Sequence, residues 1–287
     1  MTPPLLRTLR EGGTHVVLVH PGAIAPGAYR GLADALPAGT GLVVVDLEQV
    51  PAYYGAALTG GRTDTSIEAL ADVVLGATGT PTRPWVLAGW SFGGVITHAM
   101  LDRLPAGGRP ERVVVIDALA PVPEYTADES DGLDRGVVLG WFAGYLGAKR
   151  GAPVAVDRDE LAVLPPDEGL ARVLAAGIAG GALRPGTPVA GLRKVFETYR
   201  DGLVRNNRLV RAGTARPTDV PLTLLRPERG LVTRPGALGW ERLVTDPTVL
   251  TCPGDHYTTL ASDRTAALFA ATVVEALEQA PRPARIA

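Results

Sequence analysis

The stretch that decides the fold is "WVLAGWSFGGVITHAM", residues 85–100. Its first six residues are apolar or small, which is typical of a buried strand, and the residues from Phe92 onward continue as a helix. A Gly-x-Ser-x-Gly turn with Ser91 at its centre joins the two. A serine on so tight a strand-to-helix turn projects its hydroxyl out of the sheet, and its neighbours must be small. The pattern therefore predicts a nucleophilic serine at the carboxyl edge of a sheet.

Apolar, β-branched runs recur on both sides of this stretch and alternate with helical patterns. Strands are predicted over 15–20, 41–47, 85–90, 111–119, 220–227 and 247–257. Helices are predicted over 28–36, 65–75, 92–104 and 264–280. Strands that are apolar on both faces and separated by helices indicate a mostly parallel sheet covered on two sides. The fold class is therefore α/β.

The alternation stops between residues 121 and 211, where no strong strand pattern occurs. Helical patterns over 133–147, 167–180 and 189–210 fill this part of the sequence. A helical block between two strands of such a sheet is interpreted as a lid over the carboxyl edge, where open α/β sheets bind their ligands. We expect a core of residues 1–120 and 212–287 and a helical lid insertion of residues 121–211.

A neutral serine needs a base, and the base needs an acid that holds its tautomer. His256 follows the last strand in "CPGDHYTTL" and is the expected base, because it comes late in the chain and at the same sheet edge. Asp117 ends the strand "VVVID" directly after the helix of Ser91 and is the expected acid. Glu228 in "LLRPERG", two strands after the nucleophile, is the alternative.

Two backbone N–H groups are needed to bind the oxyanion of an acyl-transfer intermediate. One is expected from Phe92, the residue after the nucleophile. The other is expected from the loop "HPGAIAPG" after the first strand, where Pro21 has no N–H, so that Gly22 or Ala23 must donate. The glycines and prolines of this loop can alternatively be simple turn formers.

Composition excludes several classes of function. The 287 residues are 46% hydrophobic, and a net charge of −2 argues against a nucleic-acid surface or a polybasic membrane patch. We expect no membrane span or signal peptide, and a single cysteine, Cys252, suits the cytoplasm. The sequence contains no pattern typical of a metal cluster, a P-loop or a dinucleotide-binding fingerprint.

With these residues in place, the chain resembles the type I thioesterase domains of non-ribosomal peptide synthetases and modular polyketide synthases, which have the α/β-hydrolase fold. The resemblance covers nearly the whole chain. It is carried by "VVLVHPGAIAPGAYRGLADAL", "TSIEALADVVL", "WVLAGWSFGGVITHAM", "VVVIDALAP", "VFETYRDGLVRNNRLVRAG" and "PGDHYTTL". The Gly-x-Ser-x-Gly turn is shared by many hydrolases. The acid after the fourth strand and the "PGDH" loop are the features that favour this thioesterase family over the other hydrolases.

The resemblance implies an acyl chain that arrives as a thioester on the phosphopantetheine arm of an acyl or peptidyl carrier protein, with no cofactor bound to the chain itself. The acyl group would pass to Ser91 and leave by attack of water or of an internal nucleophile that closes a macrocycle. The resemblance also supports Asp117 as the acid and Ala23 as the second oxyanion donor. No carrier domain precedes the first methionine, which leaves open an excised domain or a stand-alone enzyme.

Several further residues are candidates for substrate contact. His20 and Trp90 end two of the predicted strands, and Trp141, Phe142 and Tyr145 lie at helical spacing in the lid. Simple lid packing is the alternative for the three lid aromatics. Three arginines recur on one face of a lid helix and suit either an acidic carrier protein or a solvated face; they are Arg205, Arg208 and Arg211.

Two other functions remain compatible with the sequence. A free esterase or lipase would use the same serine, acid and histidine on unattached esters. A non-catalytic binding protein of the same fold usually lacks one of these three residues, whereas all three are present here.

Overall fold

A single twisted sheet organises the protein, whose computed structural model describes residues 4–60, 62, 65–81, 84–125, 135–232 and 234–280. Within these ranges the sheet has seven strands in the order β1-β3-β2-β4-β5-β6-β7. The strands are β1 (Leu6–Arg10), β2 (Thr14–His20), β3 (Thr40–Asp46), β4 (Val86–Trp90), β5 (Arg112–Ile116), β6 (Leu222–Arg229) and β7 (Thr248–Asp255). Only β1 pairs antiparallel, with β3, and the other neighbours are parallel. The predicted α/β fold with a mostly parallel sheet is confirmed.

Helices follow most strands and cover the sheet on both faces. They are α1 (Arg30–Ala35), α2 (Pro51–Tyr54), α3 (Ile67–Thr78), α4 (Phe92–Leu101), α5 (Arg135–Arg150), α6 (Arg158–Val163), α7 (Pro166–Ala179), α8 (Val189–Ala212) and α9 (Asp263–Glu278). Along β2, Val16 and Leu18 belong to one hydrophobic cluster with α1 and α9, whereas Val17 and Val19 belong to another with α3 and α4. Successive side chains of a strand point to opposite faces, so both faces of the sheet are core.

Helices α5 to α8 lie between β5 and β6 in the chain. They correspond to the predicted insertion of residues 121–211, of which 126–134 are outside the described residues, and the boundaries of that insertion stay a prediction. Helix α8 buries Leu192, Arg205 and Leu209, and its partly buried Phe196 and Tyr199 pack against the core. None of the described helices combines the length and the apolarity needed to cross a lipid bilayer.

The parallel register brings several strand ends to one edge of the sheet. Trp90 pairs with Ile116 across β4 and β5, and Ile116 pairs with Leu225 across β5 and β6. The residues that follow these strands therefore emerge side by side, which places Ser91 and Asp117 at the same edge.

Candidate active site

Ser91 occupies the turn between β4 and α4, as the sequence predicts. Its backbone has φ 54° and ψ −130°, and its N–H donates to the carbonyl oxygen of Ile116 at 3.0 Å. A positive φ is strained for a residue other than glycine, and such strain concentrates at functional sites. A Cβ on Gly93 would lie 2.1 Å from the carbonyl oxygen of Val19, so only glycine fits there. The turn therefore holds the serine between the sheet and the start of α4.

His256 and Asp117 form a buried pair beside this turn. Nδ1 of His256 lies 2.7 Å from Oδ2 of Asp117, and the two residues are 5% and 1% exposed. The backbone N–H of Leu231 also donates to that oxygen, at 3.1 Å. A carboxylate only accepts, so Nδ1 carries the proton and Nε2 is left free to accept one. Glu228, the alternative acid, lies at the exposed end of β6.

The Trp90 side chain supports the imidazole of His256. The two rings stack with their centroids 4.7 Å apart, and the indole Nε1–H of Trp90 donates to the backbone oxygen of His256 at 3.0 Å. Asp255 orders the same loop, because its carboxylate accepts from the backbone N–H groups of Tyr257 and Thr258. The imidazole of His256 is thereby fixed against Trp90, the residue that precedes Ser91.

A cavity of about 410 Å³ opens over these residues and is lined by both Ser91 and His256. Its volume lies within the range of small-molecule sites. Trp90, Trp141 and Tyr145, three of the predicted substrate contacts, belong to its wall. Further lining residues were not anticipated from the sequence; they include Glu48, Tyr54, Lys149, Tyr199, Arg205, Asn206 and Tyr257.

Aromatic side chains form part of the cavity wall. The rings of Tyr145 and Tyr199 stack at 4.9 Å, and the hydroxyl groups of Tyr199 and Tyr257 lie 3.1 Å apart. Burial raises the pKa of Tyr199, so its hydroxyl stays protonated at neutral pH. The indole Nε1 of Trp141 is buried with no hydrogen-bond acceptor among the described residues. This wall suits an apolar chain that also carries hydrogen-bond acceptors.

Two predicted substrate contacts lie away from the cavity. His20 is fully buried, with Nδ1 2.8 Å from the hydroxyl of Tyr29 and Nε2 2.9 Å from the backbone oxygen of Ile24. Burial lowers its pKa to about 4, and its ring lies parallel to that of Trp90 with centroids 6.0 Å apart. The expectation that His20 lines the site was wrong, because the loop after β2 folds over it.

Phe142 is the second correction. It is fully buried and packs edge-to-face against Phe196 of α8 at 5.2 Å, whereas its neighbour Trp141 lines the cavity. One residue along a helix rotates the side chain by about 100°, so two adjacent aromatics of α5 cannot share the cavity face. Phe142 is therefore a packing residue of the lid, as the alternative interpretation expects.

Among the three predicted arginines of α8, Arg205 differs from expectation. Arg205 is 6% exposed and lies over the ring of Tyr53 at 3.6 Å, with Nη1 donating to the backbone oxygen of Tyr53. It faces the cavity, which fits neither a solvated face nor a carrier-protein surface. Arg208 is half-buried and Arg211 is exposed. The signal that could have revealed Arg205 is the "PAYY" run of 51–54, which supplies an aromatic partner for a buried guanidinium.

The oxyanion donors are only partly as expected. Phe92 is the first residue of α4, as predicted. Ala23 has φ 78°, and its N–H donates to Oε1 of Glu48 at 2.9 Å. The predicted second donor therefore already has an acceptor from the chain itself.

Other reactive side chains lie elsewhere. His98 is buried in α4 beside Trp240, and burial lowers its pKa. Cys252 is buried within β7, and burial raises the pKa of its thiol, which opposes a nucleophilic role. Within the part of the chain that the structure describes, no group of three or more His, Cys, Asp or Glu side chains could hold a metal ion.

Comparison with solved structures shows where this fold occurs. A four-domain nonribosomal peptide synthetase, holo-AB3403 bound to AMP and glycine, is 25% identical with a TM-score of 0.64, covering 98% of this chain and 20% of that one. The chain thus spans about a fifth of that synthetase. RedJ, a thioesterase of the prodiginine pathway in Streptomyces coelicolor, is 18% identical (TM-score 0.58), with coverage of 92% and 86%.

A third structure, the NocB thioesterase domain in covalent complex with a fluorophosphonate nocardicin G analogue, is 21% identical with a TM-score of 0.53 and covers 96% of this chain and 100% of that one. No curated protein matches the chain. The family model of the thioesterase domain matches residues 14–165, more than half of the sequence, including the turn of Ser91 and Asp117. The chain therefore belongs to the thioesterase domain family.

Proposed function

We propose that this thioesterase is a chain-releasing enzyme, which takes a polyketide or peptide acyl chain from the phosphopantetheine thioester of a carrier protein onto Ser91. The observation that carries the proposal is the buried His256–Asp117 pair at 2.7 Å, stacked on Trp90 and facing the same cavity as Ser91. A base held in one tautomer beside a strained serine is the arrangement that acyl transfer requires.

In the first half-reaction His256 takes the proton of Ser91 Oγ as that oxygen attacks the thioester carbon. The tetrahedral intermediate carries its negative charge near the N–H of Phe92, at the start of α4, and near the N–H of Ala23. The carbon–sulfur bond then breaks, His256 returns the proton to the sulfur, and the pantetheine thiol leaves. Asp117 accepts the hydrogen bond from Nδ1–H and stabilises the imidazolium.

In the second half-reaction His256 takes a proton from the incoming nucleophile, which attacks the Ser91 ester, and gives it to Ser91 Oγ. Water as nucleophile yields an acid, and a hydroxyl or amine of the chain yields a macrocycle. The aromatic wall of Trp141, Tyr145 and Tyr199 supports an extended acyl chain.

Intact-protein mass spectrometry with matched substrates tests the proposal. The protein is incubated with one acyl group presented as a pantetheine thioester and as an aryl ester, with Ser91→Ala as the control. We expect an acyl adduct on the wild type alone and faster turnover of the thioester. A product lighter than the acid by one water would identify cyclisation.

Two outcomes would contradict this function. A strong preference for aryl esters would favour a free esterase. A fluorophosphonate probe, of the class that the NocB domain binds covalently, should label Ser91; equal labelling of wild type and Ser91→Ala would favour a binding protein.

A further inference from the structure

The oxyanion site of the unloaded protein contains a carboxylate of the chain itself. Oε1 of Glu48 accepts from the N–H of Ala23 at 2.9 Å, and Glu48 lines the cavity together with Ser91 and His256. In the proposed function this N–H binds the developing oxyanion. Substrate and Glu48 therefore compete for one donor.

The surrounding backbone is shaped for this contact. A Cβ on Gly22 would lie 2.5 Å from Cγ of Glu48, so the Glu48 side chain occupies the space that any side chain at position 22 would fill. Gly22 and Ala23 both have positive φ values, 94° and 78°. For Ala23 this is a strained conformation, which the charge-assisted hydrogen bond to Glu48 helps to hold.

Glu48 is also held from its own side of the contact. It lies in a short 3-10 turn, Leu47–Gln49, directly after β3, and its backbone N–H donates to Oδ1 of the buried Asp46 at 3.1 Å. The carboxylate is half-buried. The backbone of Glu48 is thus fixed by the turn, so that displacement of its carboxylate from Ala23 requires only rotation of the side chain.

Lys149 places a positive charge in the cavity that Glu48 also lines. Lys149 of α5 lines the same cavity and donates to the hydroxyl of Tyr145 at 2.8 Å. Burial lowers the pKa of Lys149, but the hydrogen bond to Tyr145 and attraction from Tyr145, Glu48 and Tyr54 outweigh it, so that the pKa is raised overall. The negative charge of Glu48 is thus one of the causes that raise the pKa of Lys149.

We propose that Glu48 is a specificity-determining residue that occupies the oxyanion donor Ala23 until an acyl chain displaces it. Two negative oxygens cannot share one N–H, so Glu48 must leave before the tetrahedral intermediate forms. The energy for its displacement comes from burial of the acyl chain against Trp141, Tyr145 and Tyr199. Short acyl groups do not reach this wall and are transferred to Ser91 slowly, because the binding energy of the distant part of the chain drives the displacement of Glu48. This inference rests on the proposed function.

The test compares Glu48→Ala and Glu48→Gln with the wild type. The measurements are the second-order rate of Ser91 labelling by a small fluorophosphonate, and kcat/KM for acetyl and decanoyl pantetheine thioesters. If the carboxylate occupies the Ala23 N–H for roughly nine-tenths of the time, Ser91 of Glu48→Ala is labelled about tenfold faster than Ser91 of the wild type. In Glu48→Ala, kcat/KM for the acetyl thioester rises by the same factor and kcat/KM for the decanoyl thioester rises by less. The ratio of the two kcat/KM values, which measures chain-length discrimination, therefore falls. The labelling rate of Glu48→Gln lies between those of the wild type and Glu48→Ala, because its neutral amide oxygen still accepts from the N–H of Ala23, but more weakly.

Asp72→Ala is the matched control, because it removes an exposed carboxylate of α3 and changes net charge equally. We expect its labelling rate and discrimination to equal those of the wild type. Equal or slower labelling of Glu48→Ala, with unchanged discrimination, overturns the inference and leaves the proposed function standing. No labelling of any variant rejects both. If Glu48→Ala does not fold, as judged by circular dichroism, labelling of Glu48→Gln no faster than wild type overturns it.

Discussion

At the scale of single residues, the Asp117 carboxylate is the contact on which the proposed chemistry depends most. Asp117→Asn keeps the size of the side chain but offers an amide N–H₂ that can donate to Nδ1 of His256, which leaves Nε2 protonated and unable to act as base. We expect kcat to fall by about 10³–10⁴-fold, as such a tautomer change does in serine hydrolases generally. Steady-state hydrolysis of an acyl pantetheine thioester measures it.

Glu228→Gln supplies the comparison for this prediction. Glu228 is exposed at the end of β6, and the sequence alone left it as a rival acid. Its substitution is expected to leave kcat within about twofold, since exposed polar changes away from a site have small effects. A larger loss in Glu228→Gln than in Asp117→Asn would reverse the assignment of the acid.

The candidate site was partly predictable for a physical reason. Ser91, Asp117 and His256 each follow a strand of a parallel sheet, and the sequence pattern that identifies a strand also locates its carboxyl end. Glu48 also follows a strand, in the turn directly after β3, whereas Arg205 lies within the lid helix α8. Tertiary packing decides that both side chains turn into the cavity.

At the scale of elements, a buried guanidinium is one of the contacts that join helix α8 to the core. Arg205 lies 3.6 Å from the centre of the Tyr53 ring, and that ring stacks on Phe92 beside the nucleophile. Arg205→Lys keeps the charge but loses the planar stacking, which a lysine does not reproduce. We expect the free energy of unfolding to fall by about 1–2 kcal/mol. Urea denaturation at unchanged m-value measures it.

Arg193→Lys on the same helix is the control. Arg193 is 39% exposed in its ion pair with the exposed Asp167, and exposed pairs contribute little. Its change in unfolding free energy should stay below about 0.5 kcal/mol. Equal losses in the two variants would mean that the Tyr53 contact contributes nothing specific.

The elements that sequence patterns missed are short or depend on a partner. Strand β1 is five residues long, only partly buried, and exists through its antiparallel pairing of Leu6 with Val45 of β3. An edge strand of this kind has no apolar run of its own, because one neighbour alone stabilises it. Helix α2 has four residues after Val50, too few to show a helical period.

At the scale of the whole molecule, one hydrophobic cluster of the core and the cavity wall meet at Trp90. This ring contacts His20 and Tyr29 on one side and His256 and Tyr257 on the other. The packing of the core around His20 and the orientation of the His256 imidazole therefore both depend on the Trp90 side chain. A change in the protonation of His20 affects global stability first, because the residue is fully buried.

His20 makes that stability depend on pH in a defined direction. Burial lowers its pKa to about 4, against attraction from Asp46 and the Ile24 hydrogen bond that raise it, and with repulsion from Arg7 that lowers it. The unfolded state, with an ordinary pKa of about 6.5, binds more protons between these values. The contribution of His20 is thus fully present above about pH 6.5 and is lost as the pH falls through 4. Between pH 7 and pH 5 the wild type should lose about 2 kcal/mol from this residue.

Urea unfolding of wild type and His20→Gln at pH 7 and pH 5 measures this contribution. Glutamine is polar at similar length but does not titrate, so its loss between the two pH values should be smaller by about 2 kcal/mol. His98, whose pKa burial also lowers, is present in both proteins and cancels in the difference. Should the variant fold poorly, the NMR titration of the His20 imidazole in the wild type decides: a pKa near 6.5 would show that His20 exerts no such linkage.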